Sequence, residues 1–95
     1  MSAPDFIVHD TEDTVGVIVK EGIAANANLT GWVMADDSQI TIAAGDDIPL
    51  GHKIALNDIA EGDTIIKYGH DIGKCVVAIA KGGHAHTQNV KTKRW

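Results

Sequence analysis

A chain of 95 residues, 44% of them apolar, has room for one small domain with a thin core. Aromatics make up 4% of it and Cys75 is the one cysteine, which excludes an aromatic-rich bundle, an internal disulfide framework and a zinc ribbon. A net charge of −5 argues against nucleic acid as the main partner, and no apolar run approaches the ~18 residues that cross a bilayer.

The first five residues have neither a basic start nor an apolar stretch, so no secretory signal is expected and the cytoplasm is the default compartment. Turn signals then recur every eight to twelve residues between short β-branched segments, the pattern of an all-β domain. Residues 14–20 put Val15, Val17 and Val19 on one strand face, ended by Glu21-Gly22. Residues 22–29 form at most one helical turn, for they carry no apolar stripe. Residues 39–43 alternate cleanly before a turn at Gly45-Asp46-Asp47, and Asp36-Asp37 reads as another turn former. A corner at Pro49-Leu50-Gly51 leads into a strand over 52–56 that aligns His52 with Ile54 and Leu56. Two further strands are expected over 64–68 and 75–79, with Cys75 a buried core thiol. Ile59-Ala60-Glu61-Gly62 recurs as Ile79-Ala80-Lys81-Gly82: in each, the isoleucine packs inward and the glycine supplies a positive φ. The whole chain reads as one domain, with a folded core over 5–89 and a basic arm over 90–95. Lys91, Lys93, Arg94 and Trp95 make that arm either a solvated terminus or a docking element for an acidic surface.

His84-Ala85-His86 is the strongest local constellation. On a strand these two imidazoles share a face, roughly 6–7 Å apart, and can hold one metal or grip one anion, or simply decorate the surface. Gly82-Gly83 ahead of them allows a ligand or another chain to approach the backbone closely. Metal ligation needs a third protein ligand, and His52 and His70 are both open for that role. Lys53 and Lys67 either face water or meet an anionic substrate, and Asn89 can donate or accept a hydrogen bond.

The string Gly51-His52-Lys53-Ile54-Ala55-Leu56, Asp58-Ile59, Gly62, Ile66-Lys67-Tyr68-Gly69, Ile72-Gly73, Gly82, His84-Ala85-His86 and Asn89 resembles the small SAF domain of the altronate and galactarate dehydratase family. The resemblance covers residues 5–92 and is densest over 51–89. It implies a small β-clip fold of short strands and frequent tight turns. Most members fuse this domain to a much larger catalytic one, so a separate small chain resembles instead the small subunits of sulfolactate-cleaving lyases, which work with a large partner subunit.

What the resemblance implies is elimination from a small anionic hydroxy acid, with sulfite leaving sulfolactate to give pyruvate, or water leaving a sugar acid. Abstraction of a proton beside a carboxylate piles negative charge on its oxygens, and a divalent metal, Fe2+ by family likeness, is expected to stabilise it. His84 and His86 take the catalytic and metal-binding roles in this reading, with His52, Lys53, Lys67 and Asn89 around the substrate. Gln88 stands where many sugar-acid dehydratases carry a third histidine, so this segment by itself cannot supply three imidazoles. A non-catalytic SAF binding module is the reading from another class. Exposed apolar surface on a small subunit without its partner also predicts homo-oligomers in isolation.

Overall fold

The computed structural model describes residues 3–67, 70–86 and 90–91, with the backbone alone for His70, Asp71 and Lys91. Among the described residues nine strands run in chain order: β1 (Phe6–Val8), β2 (Val15–Ile18), β3 (Asn28–Val33), β4 (Ser38–Ala43), β5 (Lys53–Ala55), β6 (Thr64–Lys67), β7 (His70–Cys75), β8 (His84–Ala85) and β9 (Val90–Lys91). Six form one sheet in the order β4-β3-β1-β2-β5-β8, and β6-β7-β9 form a second. Among the described residues there is no helix, and none therefore that could cross a membrane. The expected all-β architecture is what the chain adopts.

Four copies of one corner launch four of these nine strands. Each begins with a buried isoleucine (Ile23, Ile48, Ile59, Ile79) and reaches a positive φ at its fourth residue: Asn26 72°, Gly51 85°, Gly62 93° and Gly82 85°. The fifth residue closes the turn by donating its N–H to the second residue's carbonyl, as His52 does to Pro49 at 3.0 Å and Gly83 to Ala80 at 2.8 Å. The fourth N–H and the fifth carbonyl then clamp one residue of a neighbouring segment: Ala44, Ile18, Cys75 and Ala55 in turn. These bonds satisfy backbone groups that the packing of the two segments would otherwise leave unpaired. The strands β3, β5, β6 and β8 start directly after the four fifth residues.

The corners also pair with each other. Ile23 bridges Ile48, and Ile59 bridges Ile79. In each pair an aspartate reaches across to a backbone N–H of the opposite corner: Asp47 to Ala25 and Asp58 to Lys81, both at 2.8 Å. The expected two-copy repeat is thus half of a four-copy device.

Phe6, fully buried, anchors the larger core with Ile18, Leu29, Ile42, Ile48 and Ile54. Its ring fills the space over Gly31, where a Cβ would lie 2.1 Å from it. The smaller core gathers Val15, Ala55, Ile59, Ile65, Cys75, Ile79 and Ala85 between the two sheets. Cys75 is buried as expected, and burial pushes its thiol upward.

Two strand expectations need correction. In β2 the face turned into the larger core is that of Gly16 and Ile18, while Val17 is half-buried and Val19 is exposed. Val15 is covered by the second core instead, so three valines do not make one buried stripe. The strand expected over 75–79 ends at Cys75: the Cys75 carbonyl takes the Gly62 N–H, its thiol donates to the Val77 carbonyl at 2.8 Å, and Val77 turns out to solvent. At the other end, Val90–Lys91 pair with β7 as β9, so the first two residues of the expected arm lie in a sheet; residues 92–95 lie outside the described residues.

Candidate functional site

Two of the four corners converge on the imidazoles. The corner at 48–51 delivers His52 to the start of β5, and the corner at 79–82 delivers His84 to the start of β8. These strands are antiparallel neighbours, with Lys53 opposite Ala85 and Ile54 opposite His84. Carrying that register one residue further sets His52 opposite His86. Residues directly opposite share a sheet face, so His52, His84 and His86 emerge together.

The three rings form one cluster. His52 Nδ1 and His84 Nε2 are 2.8 Å apart, one donating and the other accepting according to tautomer. His52 stacks on His86 with ring centroids 3.8 Å apart, and His84 and His86 lie nearly parallel at 5.8 Å. Burial lowers the basicity of His84 and His86, and the neighbouring imidazoles lower it further. Asp46 acts the other way on His84, whose backbone N–H it accepts at 2.9 Å. The outcome favours neutral rings, the form that binds metal.

A divalent ion fits this donor set. One nitrogen from each ring lies within 4.8 Å of the other two. Bonds of ~2.1 Å to a shared ion separate two ligand nitrogens by roughly 3.0–3.4 Å, close to the His52–His84 spacing already present. Three imidazoles suit iron, zinc, nickel or copper and do not suit magnesium or calcium.

The sequence-derived candidates divide clearly. His84 and His86 are together, and His52, which spacing left level with His70, joins them; the His70 side chain and Asn89 lie outside the described residues. Lys53 is half-buried behind the cluster, and burial followed by the charge of Lys67 lowers its basicity. The close approach expected at Gly82-Gly83 is made by the chain itself. A Cβ on Gly82 would sit 2.1 Å from the Ala43 carbonyl, Gly45 donates to the Gly82 carbonyl at 2.9 Å, and Asp46 reaches His84. Asp46 and Asp47 are therefore cross-braces between segments and not simple turn formers. Asp46 was missed as a site residue because 38 positions separate it from His84.

Fold and site define a small all-β module that carries a cluster of imidazoles at a sheet edge. It belongs to the altronate/galactarate dehydratase SAF domain family, whose pattern matches residues 4–93. The chain is 54% identical over 91 residues to the (2R)-sulfolactate sulfo-lyase subunit alpha of Chromohalobacter salexigens, covering 96% of this chain and 97% of that one. A protein of the same name from Paracoccus pantotrophus is 54% identical over 63 residues, 66% of this chain and 94% of its own length. The altronate dehydratase of Bacillus subtilis is 49% identical over 53 residues, which are only 11% of that larger enzyme.

Proposed function

We propose that this chain is the small subunit of a cytoplasmic two-subunit lyase that eliminates sulfite from sulfolactate. The likeness to alpha subunits of that name along nearly their whole length carries the reading. The dehydratases, by contrast, are matched only over a small part of theirs.

In the reaction a base removes the proton on the carbon bearing the hydroxyl and carboxylate. That electron pair forms the carbon–carbon double bond, the C–S bond breaks with its pair on sulfur, and the enol product becomes pyruvate. His52, His84 and His86 would hold a divalent ion, Fe2+ by family likeness, and its positive charge would offset the negative charge that builds on the carboxylate oxygens. The chain's own part is to bring three imidazoles together, with His84 and His86 held below their ordinary basicity, and to offer Lys53, Lys67 and Asn89 as contacts for the anionic substrate. The proton-abstracting base belongs to a large dehydratase-like partner subunit.

Co-purification with that subunit, followed by metal analysis and an assay on (2R)-sulfolactate, tests the proposal. Sulfite and pyruvate should appear in equal amounts with both subunits present and with neither alone. Full activity of the large subunit by itself, or turnover of altronate or galactarate without sulfite release, would contradict it.

A further inference from the structure

Among the described residues, β4 and β8 form the edges of the larger sheet and β6 and β9 those of the smaller. Three of these edges are blunted. β8 and β9 are only two residues long. β6 is clamped by Thr14, which donates its N–H to the Ile66 carbonyl and accepts the Ile66 N–H on its hydroxyl, both at 2.9 Å. β4 is different. It runs for six residues in unbroken register, Ser38-Gln39-Ile40-Thr41-Ile42-Ala43, with no charge, proline, glycine or bulge. Those are the devices that keep a sheet edge from pairing with another chain, and this edge lacks all of them.

The register of β3 on β4 fixes which backbone groups look outward. Thr30 accepts the Asp5 N–H and Met34 donates to the Val8 carbonyl, so these residues of β3 turn toward β1, and the alternate ones bond to β4. Their partners in β4 are Ile40 and Ile42, opposite Gly31 and Leu29. Gln39 and Thr41 therefore point their N–H and C=O groups away from the sheet, and no other described segment meets them. At Ala43 the edge is closed, because Gly82 lies against its carbonyl. From Ile42 back to Ser38 it borders a cleft of about 350 Å³ that has Val8, Val33 and Leu56 in its wall and Lys81 and Asp36 at its rim.

We propose that two copies of this chain pair antiparallel through β4, with Ile40 opposite Ile40, joining their larger sheets edge to edge. The strand is complementary to itself in that register. Gln39 of each copy lies opposite Thr41 of the other, so the outward N–H and C=O groups of both residues are exchanged across the two-fold axis. The half-buried Ile40 side chains meet on the core face, and no like charges are brought together. The turn holding Asp36 in one copy comes beside the corner holding the exposed Lys81 of the other, so opposite charges meet at both ends. The interface uses none of the imidazoles, and the pairing stands whether or not the lyase reading does.

Sedimentation of the metal-free full chain from micromolar to millimolar concentration tests the pairing. The mass should approach twice 10.0 kDa. Gln39→Lys with Thr41→Lys in one chain sets like charges opposite each other and should weaken association by about tenfold or more. Gln39→Glu with Thr41→Glu should do the same, and an equimolar mixture of the two variants should dimerise again. Both positions are exposed, so thermal melts of the variants should match that of the unaltered chain. Register is read by oxidising Gln39→Cys chains mixed with Thr41→Cys chains. Opposed residues with Cα atoms roughly 5.5 Å apart suit a disulfide, so the mixture should cross-link into dimers containing one chain of each kind. A monomeric mass throughout, a dimer untouched by the lysines, or a mixture that fails to cross-link would each overturn the proposal. A monomer whose lysine variant fails to bind the large subunit would also overturn it and give the edge to that subunit instead.

Discussion

The corners at 59–62 and 79–82 share a sequence pattern and a backbone, yet only one of them builds a site. Both start at a buried isoleucine, bridge each other, and turn on a glycine in the left-handed region. Gly62 has open space where a side chain would go; Gly82 faces the Ala43 carbonyl. The first corner launches β6, whereas the second is pressed against the 43–46 segment and launches His84. Local chemistry makes the turn, and packing of a distant segment against it makes the turn useful.

The largest expected effect breaks that contrast at the glycines. Gly82→Ala combines a left-handed alanine with a backbone clash and should cost more than about 3 kcal/mol, whereas Gly62→Ala carries only the conformational penalty of about 1–2 kcal/mol. Urea unfolding of the two variants measures the difference; equal losses would mean that the 43–46 segment does not restrain the second corner. A smaller effect is expected at the brace. Asp46→Ala should weaken binding of a divalent ion by about tenfold, because the acceptor that orients the His84 backbone is gone. Asp63, which accepts the Ala60 N–H at 2.9 Å beside the other corner, should leave metal affinity unchanged when replaced by alanine.

The smallest effect is one of pH. Folding holds His84 and His86 below their ordinary value of 6.5. Beneath that value the unfolded chain therefore takes up protons that the folded chain does not. Stability of the metal-free protein should be full above pH 6.5 and should decline as pH falls through the window below it. Thermal melts across that range check the slope, and His84→Gln with His86→Gln should flatten it. The same slope in the double variant would place its origin elsewhere.

Much of the second half was legible in the sequence, for reasons that explain what was not. Alternation at 39–43 survives in β4, which exposes one face, whereas the strand expected over 64–68 appears as β6 with none of its four residues exposed. Ile-Ala-x-Gly announced two corners; the copies at 23–26 and 48–51 are disguised by Asn26 and by Pro49-Leu50, which satisfy the same dihedral demands with different residues. Asn28 and Gly31 hide β3, since both are poor strand formers, and Gly31 is needed there to make room for Phe6. Residues 75–79 look like a strand by composition, yet hydrogen bonds from another corner end it at its first residue. For the site, period-two alternation placed His84 with His86 and His52 with Ile54. The β5–β8 register that unites these faces is a tertiary fact, and no spacing along the chain encodes it.

That union of three rings from two corners is the central claim, and counting the imidazoles on a bound ion tests it most directly. Cobalt(II) or copper(II) added in equimolar amount to the full chain should show three coordinated imidazole nitrogens by X-ray absorption or pulsed electron resonance. His52→Ala should show two and bind at least about a hundredfold more weakly. An unaltered spectrum and affinity in His52→Ala would contradict the account, since His52 would then have no part in the centre.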